Sequence, residues 1–157
     1  MPRVLTPSTL EAIEGLCSRY PSRLAALLPA LHMAQREHGH ISADVEHDVA
    51  EQLRIPPTRV REVVTFYSMY YDRPIGRHVV KICRNLPCQL RGAERLMARA
   101  CAKLGIEAGE TTPDGRITLE HDECLASCGT GPMLWCNDTI LENVDEPRLE
   151  AFLDGLD

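Results

Sequence analysis

The chain has 157 residues, 44% hydrophobic and 25% charged, enough apolar mass for one medium domain or two small ones. Lys and Arg number 17 against 23 Asp and Glu, and the resulting formal charge of −6 disfavours a nucleic-acid footprint. The longest apolar stretch, Leu24–Leu31, is interrupted by Pro29 and falls well short of the ~20 residues that span a bilayer, so no direct membrane insertion is expected. The opening Met1-Pro2-Arg3-Val4-Leu5-Thr6-Pro7 lacks the apolar core of a secretory signal, and a cytoplasmic setting follows as the expectation. Seven cysteines in such a setting point to metal ligation or redox chemistry, because the cytosol keeps thiols reduced and an odd number leaves one unpaired.

Residues 1–72 read as a small helical bundle. Ser8 with Glu11 makes a capping box ahead of Ile13, Leu16 and Cys17. A second helix is expected over Ser22–His38, with Leu24, Leu27, Leu28, Leu31 and Ala34 on one face, a kink or break near Leu28 imposed by Pro29, and a stop at Gly39. Ser42 caps a third helix carrying Val45, Val49 and Leu53, which ends before Pro56-Pro57. Thr58–Tyr67 reads as a fourth, with Val60, Val63 and Val64 inward. Four short helices around one apolar centre suit a bundle that docks partners.

Beyond Asp72-Arg73-Pro74-Ile75-Gly76 the texture changes, and residues 73–157 read as a second domain. Val79–Cys83 is a β-branched strand, and Gly92–Leu104 a helix closed by Gly105. Arg116–Glu120 is a second strand after the turn Pro113-Asp114-Gly115, and Met133–Cys136 with Thr139–Val144 form a hairpin across Asn137-Asp138. Pro147 opens a last helix through Leu149, Phe152 and Leu153. Strand, helix, strand, hairpin, helix is the order of a small thioredoxin-like domain. The expected fold is therefore α+β, a helical bundle followed by an α/β thioredoxin-like domain.

Two cysteine pairs carry the chemistry. Cys83-Arg84-Asn85-Leu86-Pro87-Cys88 and Cys124-Leu125-Ala126-Ser127-Cys128 each follow a strand immediately. If the two strands are neighbours, both loops lie at one end of the sheet and four thiolates converge. Pro87, Gly129 and Gly131 suit tight turns whose N–H groups face an anionic centre. Zinc takes four sulfurs around one point, whereas a [2Fe–2S] cluster takes two ligands per iron. The spacing leaves both open, with unrelated buried thiols as the bland alternative.

Several motifs occur in order over nearly the whole chain: Thr65-Phe66-Tyr67-Ser68-Met69-Tyr70, the Cys83–Cys88 loop with Arg91-Gly92-Ala93, Gly109-Glu110-Thr111-Thr112, Asp114-Gly115 and Glu123-Cys124-Leu125. Together they resemble the thioredoxin-like [2Fe–2S] subunit of NADH:quinone oxidoreductase, respiratory complex I. The same family supplies subunits of NAD-dependent formate dehydrogenases and bidirectional hydrogenases. The resemblance implies a thioredoxin-like [2Fe–2S] ferredoxin domain whose single cluster is held by Cys83, Cys88, Cys124 and Cys128. It also implies a hetero-oligomeric role: FMN and NAD bind a partner flavoprotein subunit, and the cluster exchanges single electrons with that flavin. The chain would then be a subunit of an NADH dehydrogenase, in the cytoplasmic, peripheral part of a membrane-associated complex, with no catalytic residue of its own. The sequence holds no G-x-G-x-x-G or P-loop that would bind a nucleotide here. Three positions depart from the family pattern: Ala126 where Gly is usual, Gly131 where Ala is usual, and Cys136 where an aliphatic residue is usual. A methyl at 126 restricts positive φ. Cys136 reads as a small buried hydrophobe, and Cys17 and Cys101 as helix packing residues.

Charge is uneven. Residues 73–103 hold Arg73, Arg77, Lys81, Arg84, Arg91, Arg95, Arg99 and Lys103 against Glu94, whereas residues 104–157 hold thirteen acids against Arg116 and Arg148. Arg91, Arg95 and Arg99 read either as a solvated helix face or as a partner-docking surface, and Lys81, Arg84 and Arg91 would favour the more negative, reduced form of a nearby cluster. Phe66, Tyr67, Tyr70 and Tyr71 read as an interdomain core. Two readings from other classes stand beside electron transfer: a zinc-stapled interaction module, and a thiol oxidoreductase, which the absence of C-x-x-C weakens.

Overall fold

Prolines set several helix starts in the N-terminal half. Pro7 opens α1 (Pro7–Cys17) and Pro57 opens α4 (Pro57–Phe66), positions where a missing N–H removes no helical bond. Because Pro7 takes the first helical position, the cap of α1 is Thr6 rather than the expected Ser8: the Thr6 hydroxyl accepts from the Thr9 N–H. Glu37, not Glu11, accepts from the Thr6 amide at 2.7 Å. The expected second helix divides into a 3-10 turn, Leu24–Ala26, and α2, Leu27–His38. The division falls ahead of Pro29, which occupies the first turn of α2, where N–H groups have no intrahelical partner. Gly39, at φ 83°, closes α2 as the sequence predicts. Ser42 caps α3 (Ala43–Leu53) by accepting from the Val45 N–H at 3.3 Å. Ile13, Leu27, Leu31, Val45, Val49, Leu53 and Val60 form the buried centre of this helical unit, while Val63 is partly buried at its edge.

The computed structural model describes residues 3–157; residues 1–2, the start of the expected helical segment, lie outside the described residues. The chain divides into two compact units, one ending at Pro74 and the other Ile75–Asp157. Phe66, Tyr67, Tyr70 and Tyr71, expected as an interdomain core, all lie within the first unit, and Tyr67 packs against its core. Tyr70 belongs to the core of the helical unit, where its hydroxyl donates to the Leu28 carbonyl at 2.9 Å and burial, with a smaller contribution from Tyr67, pushes its pKa up to about 12. Phe66 is 79% exposed.

The second unit is built on a four-stranded sheet in the order β2-β1-β3-β4. Its elements in chain order are β1 (His78–Cys83), α5 (Leu86–Leu90), α6 (Ala93–Leu104), β2 (Ile117–Asp122), a 3-10 turn (Cys128–Thr130), β3 (Leu134–Cys136), β4 (Thr139–Leu141) and α7 (Glu146–Asp154). Central β1 pairs in parallel with β2, from His78 opposite Ile117 to Cys83 opposite Asp122, and antiparallel with β3. Parallel neighbours need a long crossover, which α6 supplies. Val80, Ile82, Ile117 and Leu119 pack with Leu96, Met97 and Ala100 of α6 and Leu149 and Leu153 of α7 in one core. Asn137 at the hairpin turn pins the hairpin to the start of β1: its side-chain oxygen accepts from the Val79 N–H at 3.0 Å and its amide donates to the Arg77 carbonyl. Helix α5 is not anticipated by the sequence reading, although Pro87 in its first turn is a start signal.

Gly76 leads into β1 with its backbone against β2. Its N–H donates to Thr118 Oγ1 at 2.6 Å, and a Cβ there would meet the Ile117 carbonyl carbon at 2.7 Å. Gly76→Ala should therefore force the two strands apart and lower stability by about 1–3 kcal/mol, as overpacking does. The check is the urea midpoint reported by fluorescence of Trp135, the single tryptophan, which lies on β3.

Candidate metal centre

Parallel pairing sets Cys83, the last residue of β1, beside Asp122, the last residue of β2, so both following loops start at one end of the sheet. After Arg84 and Asn85 the chain turns into α5, which returns Cys88 to the buried side. Cys83 and Cys88 are almost wholly buried, and the Cys83 thiol is near enough to raise the pKa of Cys88. Met133 lies beside both: its carbonyl accepts from the Cys83 N–H at 3.2 Å, and its backbone amide favours the Cys88 thiolate. Burial first, then Cys83 and, more weakly, Cys128 hold the Cys88 thiol above its ordinary pKa, while the Met133 amide opposes them.

The second loop follows Asp122, whose carboxylate accepts from the Cys124 N–H at 3.2 Å. Cys128 opens the 3-10 turn, and Gly131 then passes so close to the first loop that a Cβ on it would stand 2.9 Å from Cys88 Sγ. Of the four cysteines singled out by sequence, the structure places Cys88 within electrostatic reach of Cys83 on its own loop and of Cys128 on the other, while Cys124 and Cys128 are both exposed. Among the described residues, no three His, Cys, Asp or Glu side chains are grouped tightly enough for a single metal ion. A two-iron cluster asks for thiolates in pairs, and a close buried pair on one loop facing thiols on a second loop fits that demand. Cys124 would complete the set by turning inward. The remaining cysteines lie apart from this group in role: the Cys17 thiol donates to the Ile13 carbonyl at 3.5 Å, Cys101 is partly buried on α6, and Cys136 is buried in β3, where burial pushes its thiol pKa up.

Side chains that the motifs did not single out brace the second loop. Ser127 and Thr130 share the Glu142 carboxylate, Thr130 at 2.6 Å, and Arg148 donates to the Glu142 carbonyl. Those two hydroxyl bonds hold the Glu142 carboxyl below its ordinary pKa. From the first loop, Arg91 Nη1 donates to the carbonyls of Gly129 at 3.1 Å and Gly131 at 3.0 Å. Single polar residues of this kind carry no periodic or spacing signal, which is why sequence reading passes over them.

The charge asymmetry resolves within the second unit. Arg84 pairs with Glu123, Arg99 with Glu150, Lys103 with Asp154, and Lys81 lies 3.8 Å from both Glu120 and Asp122. Four of the eight cations in the basic stretch are thus seen against carboxylates of the acidic one, Lys81 and Arg84 among them. An exposed pair such as Arg84–Glu123 contributes about 0–1 kcal/mol.

Ala126 sits at φ 61°, the left-handed region that its methyl disfavours. Ala126→Gly should stabilise the second unit by about 0.5–1 kcal/mol, the relief of that strain less the greater unfolded-state freedom of glycine. Urea unfolding followed at Trp135 measures it.

The sequence model of the family described as thioredoxin-like [2Fe–2S] ferredoxin matches residues 13–157. A protein of Rhizobium meliloti, named as a subunit of NADH-quinone oxidoreductase, is 42% identical over 145 residues, covering 92% of this chain and 86% of its own length. One of Thermus thermophilus, named NADH-quinone oxidoreductase subunit 2, is 40% identical over 149 residues, covering 93% and 82%. Among solved structures, an NAD+-reducing [NiFe]-hydrogenase in the air-oxidized state matches 83% of this chain with a TM-score of 0.74 at 22% identity. This chain spans 22% of that hydrogenase chain, and the likeness is one of fold alone.

Proposed function

The chain belongs to the thioredoxin-like [2Fe–2S] ferredoxins, and from that premise we propose that it is the electron-transfer subunit of an NADH:quinone oxidoreductase. In this reading Cys83, Cys88, Cys124 and Cys128 hold one [2Fe–2S] cluster, which exchanges single electrons with FMN on a partner NADH-oxidising flavoprotein subunit. The observation that carries it is the meeting of the two cysteine loops at the shared end of β1 and β2, with Cys83 and Cys88 both buried there.

When bound, the cluster supplies a one-electron store that requires no proton or bond transfer to a side chain. The protein's part is to hold and tune it. Cys83 and Cys88 are shielded from water by the core, and the Met133 amide favours the thiolate of Cys88. Cys124 and Cys128 are exposed, which leaves their side of the site open to a partner. No residue is assigned to bond chemistry, and flavin and nicotinamide are left to the partner subunit.

Residues 73–157 are taken as the cluster-bearing domain and residues 1–72 as a helical domain that helps seat the subunit in a hetero-oligomer. Among the described residues no helix is long and apolar enough to cross a membrane. The relatives named as subunits of NADH-quinone oxidoreductase support a place in the peripheral, cytoplasmic part of a membrane-associated complex. The names of the relatives at 42% and 40% identity support an NADH:quinone oxidoreductase over the equivalent subunit of a formate dehydrogenase or hydrogenase, since the hydrogenase likeness speaks only of fold.

Anaerobic purification followed by metal analysis tests this. The expected result is about two iron and two acid-labile sulfide per chain. Cys88→Ser and Cys124→Ser should each lose most of the iron, whereas Cys136→Ser should keep it. One zinc per chain would favour the stapled interaction module, and equal iron loss in all three variants would contradict the ligand set.

A further inference from the structure

We propose that Arg91 is a positioning residue for the cluster: it straps the loop of Cys124 and Cys128 onto the helix of Cys88 and keeps a fixed positive charge beside the sulfur ligands. This rests on the four-cysteine reading above and adds to it a residue outside the ligand set.

Arg91 follows directly on α5, and its own N–H donates to the Cys88 carbonyl at 3.2 Å, so its backbone is locked to the turn that presents Cys88. Its side chain crosses to the other loop, where Nη1 donates to the Gly129 and Gly131 carbonyls at 3.1 and 3.0 Å. Those carbonyls lie in and just after the turn opened by Cys128. One guanidinium therefore spans two segments 38–40 positions apart in the chain, each carrying cysteines of the site. The seam it closes is tight, since Gly131 lies where any Cβ would stand 2.9 Å from Cys88 Sγ.

The alternative is a solvated arginine at a helix end. Two features oppose it. Arg84, Arg99 and Lys103 end on carboxylates, whereas these two Arg91 bonds end on neutral carbonyls and leave the guanidinium charge in place. The contact is also to backbone atoms of the ligand-bearing loop, so it fixes that loop's path whatever its side chains do. Bonds from a charged donor are the stronger kind, and a rigid guanidinium reaches two acceptors that an ammonium of the same charge holds less well. Four thiolates give the cluster a net negative charge, and a nearby fixed cation favours its reduced form.

The two roles separate by substitution in the full chain. Arg91→Lys keeps the charge and gives up the fork, while Arg91→Gln keeps a donor and gives up the charge. Three readings are taken on the wild type and both variants: iron release to a chelator, the electron paramagnetic resonance spectrum of the reduced protein, and the midpoint potential. Both variants should release iron about tenfold faster, the order expected for loss of a charge-assisted bond, with altered spectra. The potential should fall in Arg91→Gln, less so at high salt, and stay near the wild-type value in Arg91→Lys. Far-UV circular dichroism on the same samples separates loss of the site from loss of the fold, and Arg91→Lys decides the strap should Arg91→Gln fail to fold. Wild-type release rates and spectra in Arg91→Lys would overturn the proposal, as would faster release from a folded Arg91→Gln whose potential has not moved. Zinc in place of iron in the wild type would instead sink the four-cysteine cluster reading, and the strap would then be judged by release of that zinc.

Discussion

Parallel pairing of β1 with β2 is the constraint on which the site depends. Had these strands run antiparallel, the loop after Cys83 and the loop after Asp122 would leave opposite ends of the sheet, and their cysteines could not meet. Parallel pairing demands a crossover, and the amphipathic α6 provides one while covering Val80, Ile82, Ile117 and Leu119. Gly76 sets how closely the strands start, and the Cys83–Asp122 register sets where they end. The apolar core thereby acts on the chemistry at a distance: burial of hydrocarbon fixes the positions of sulfur.

Onto that frame the two loops are tied by polar contacts of different reach. Met133, at the approach to β3, touches both Cys83 and Cys88 through its backbone, while Glu142 collects Ser127 and Thr130 from beyond β4. Each contact spans a strand boundary, so the geometry of the loops is borrowed from the sheet and does not arise within the loops themselves. Charge follows the same pattern. The basic face of α6 and the acidic face of α7 answer each other through Arg99–Glu150 and Lys103–Asp154, which leaves less unmatched field on the surface than the sequence totals suggest.

Features governed by local or periodic rules were legible in the sequence. The helix ends at Gly39 and Gly105, the Ser42 cap and the hairpin at Asn137-Asp138 all follow from short-range signals and agree with the structure, whereas the pairing of β1 with β2 is a long-range contact that the sequence offers only as a condition. Where two local rules compete, one gives way: Pro7 takes the first turn of α1 and moves the cap from Ser8 to Thr6, whereas the break expected near Leu28 from Pro29 is present, between the 3-10 turn and α2. Helix α5 was hidden because five residues carry too little periodicity to register. The partners of Arg91, Lys81 and Glu142 were illegible for another reason, since they lie across tertiary contacts that no spacing along the chain encodes.

The claim at the centre is that thiolates from both loops share one two-iron unit. Iron K-edge X-ray absorption on the anaerobically purified chain tests it most directly. The expected result is about four sulfur neighbours around each iron together with a single iron neighbour at short range, unchanged when Cys136 is replaced. Iron with no iron neighbour, or with nitrogen or oxygen ligands in place of sulfur, would contradict it.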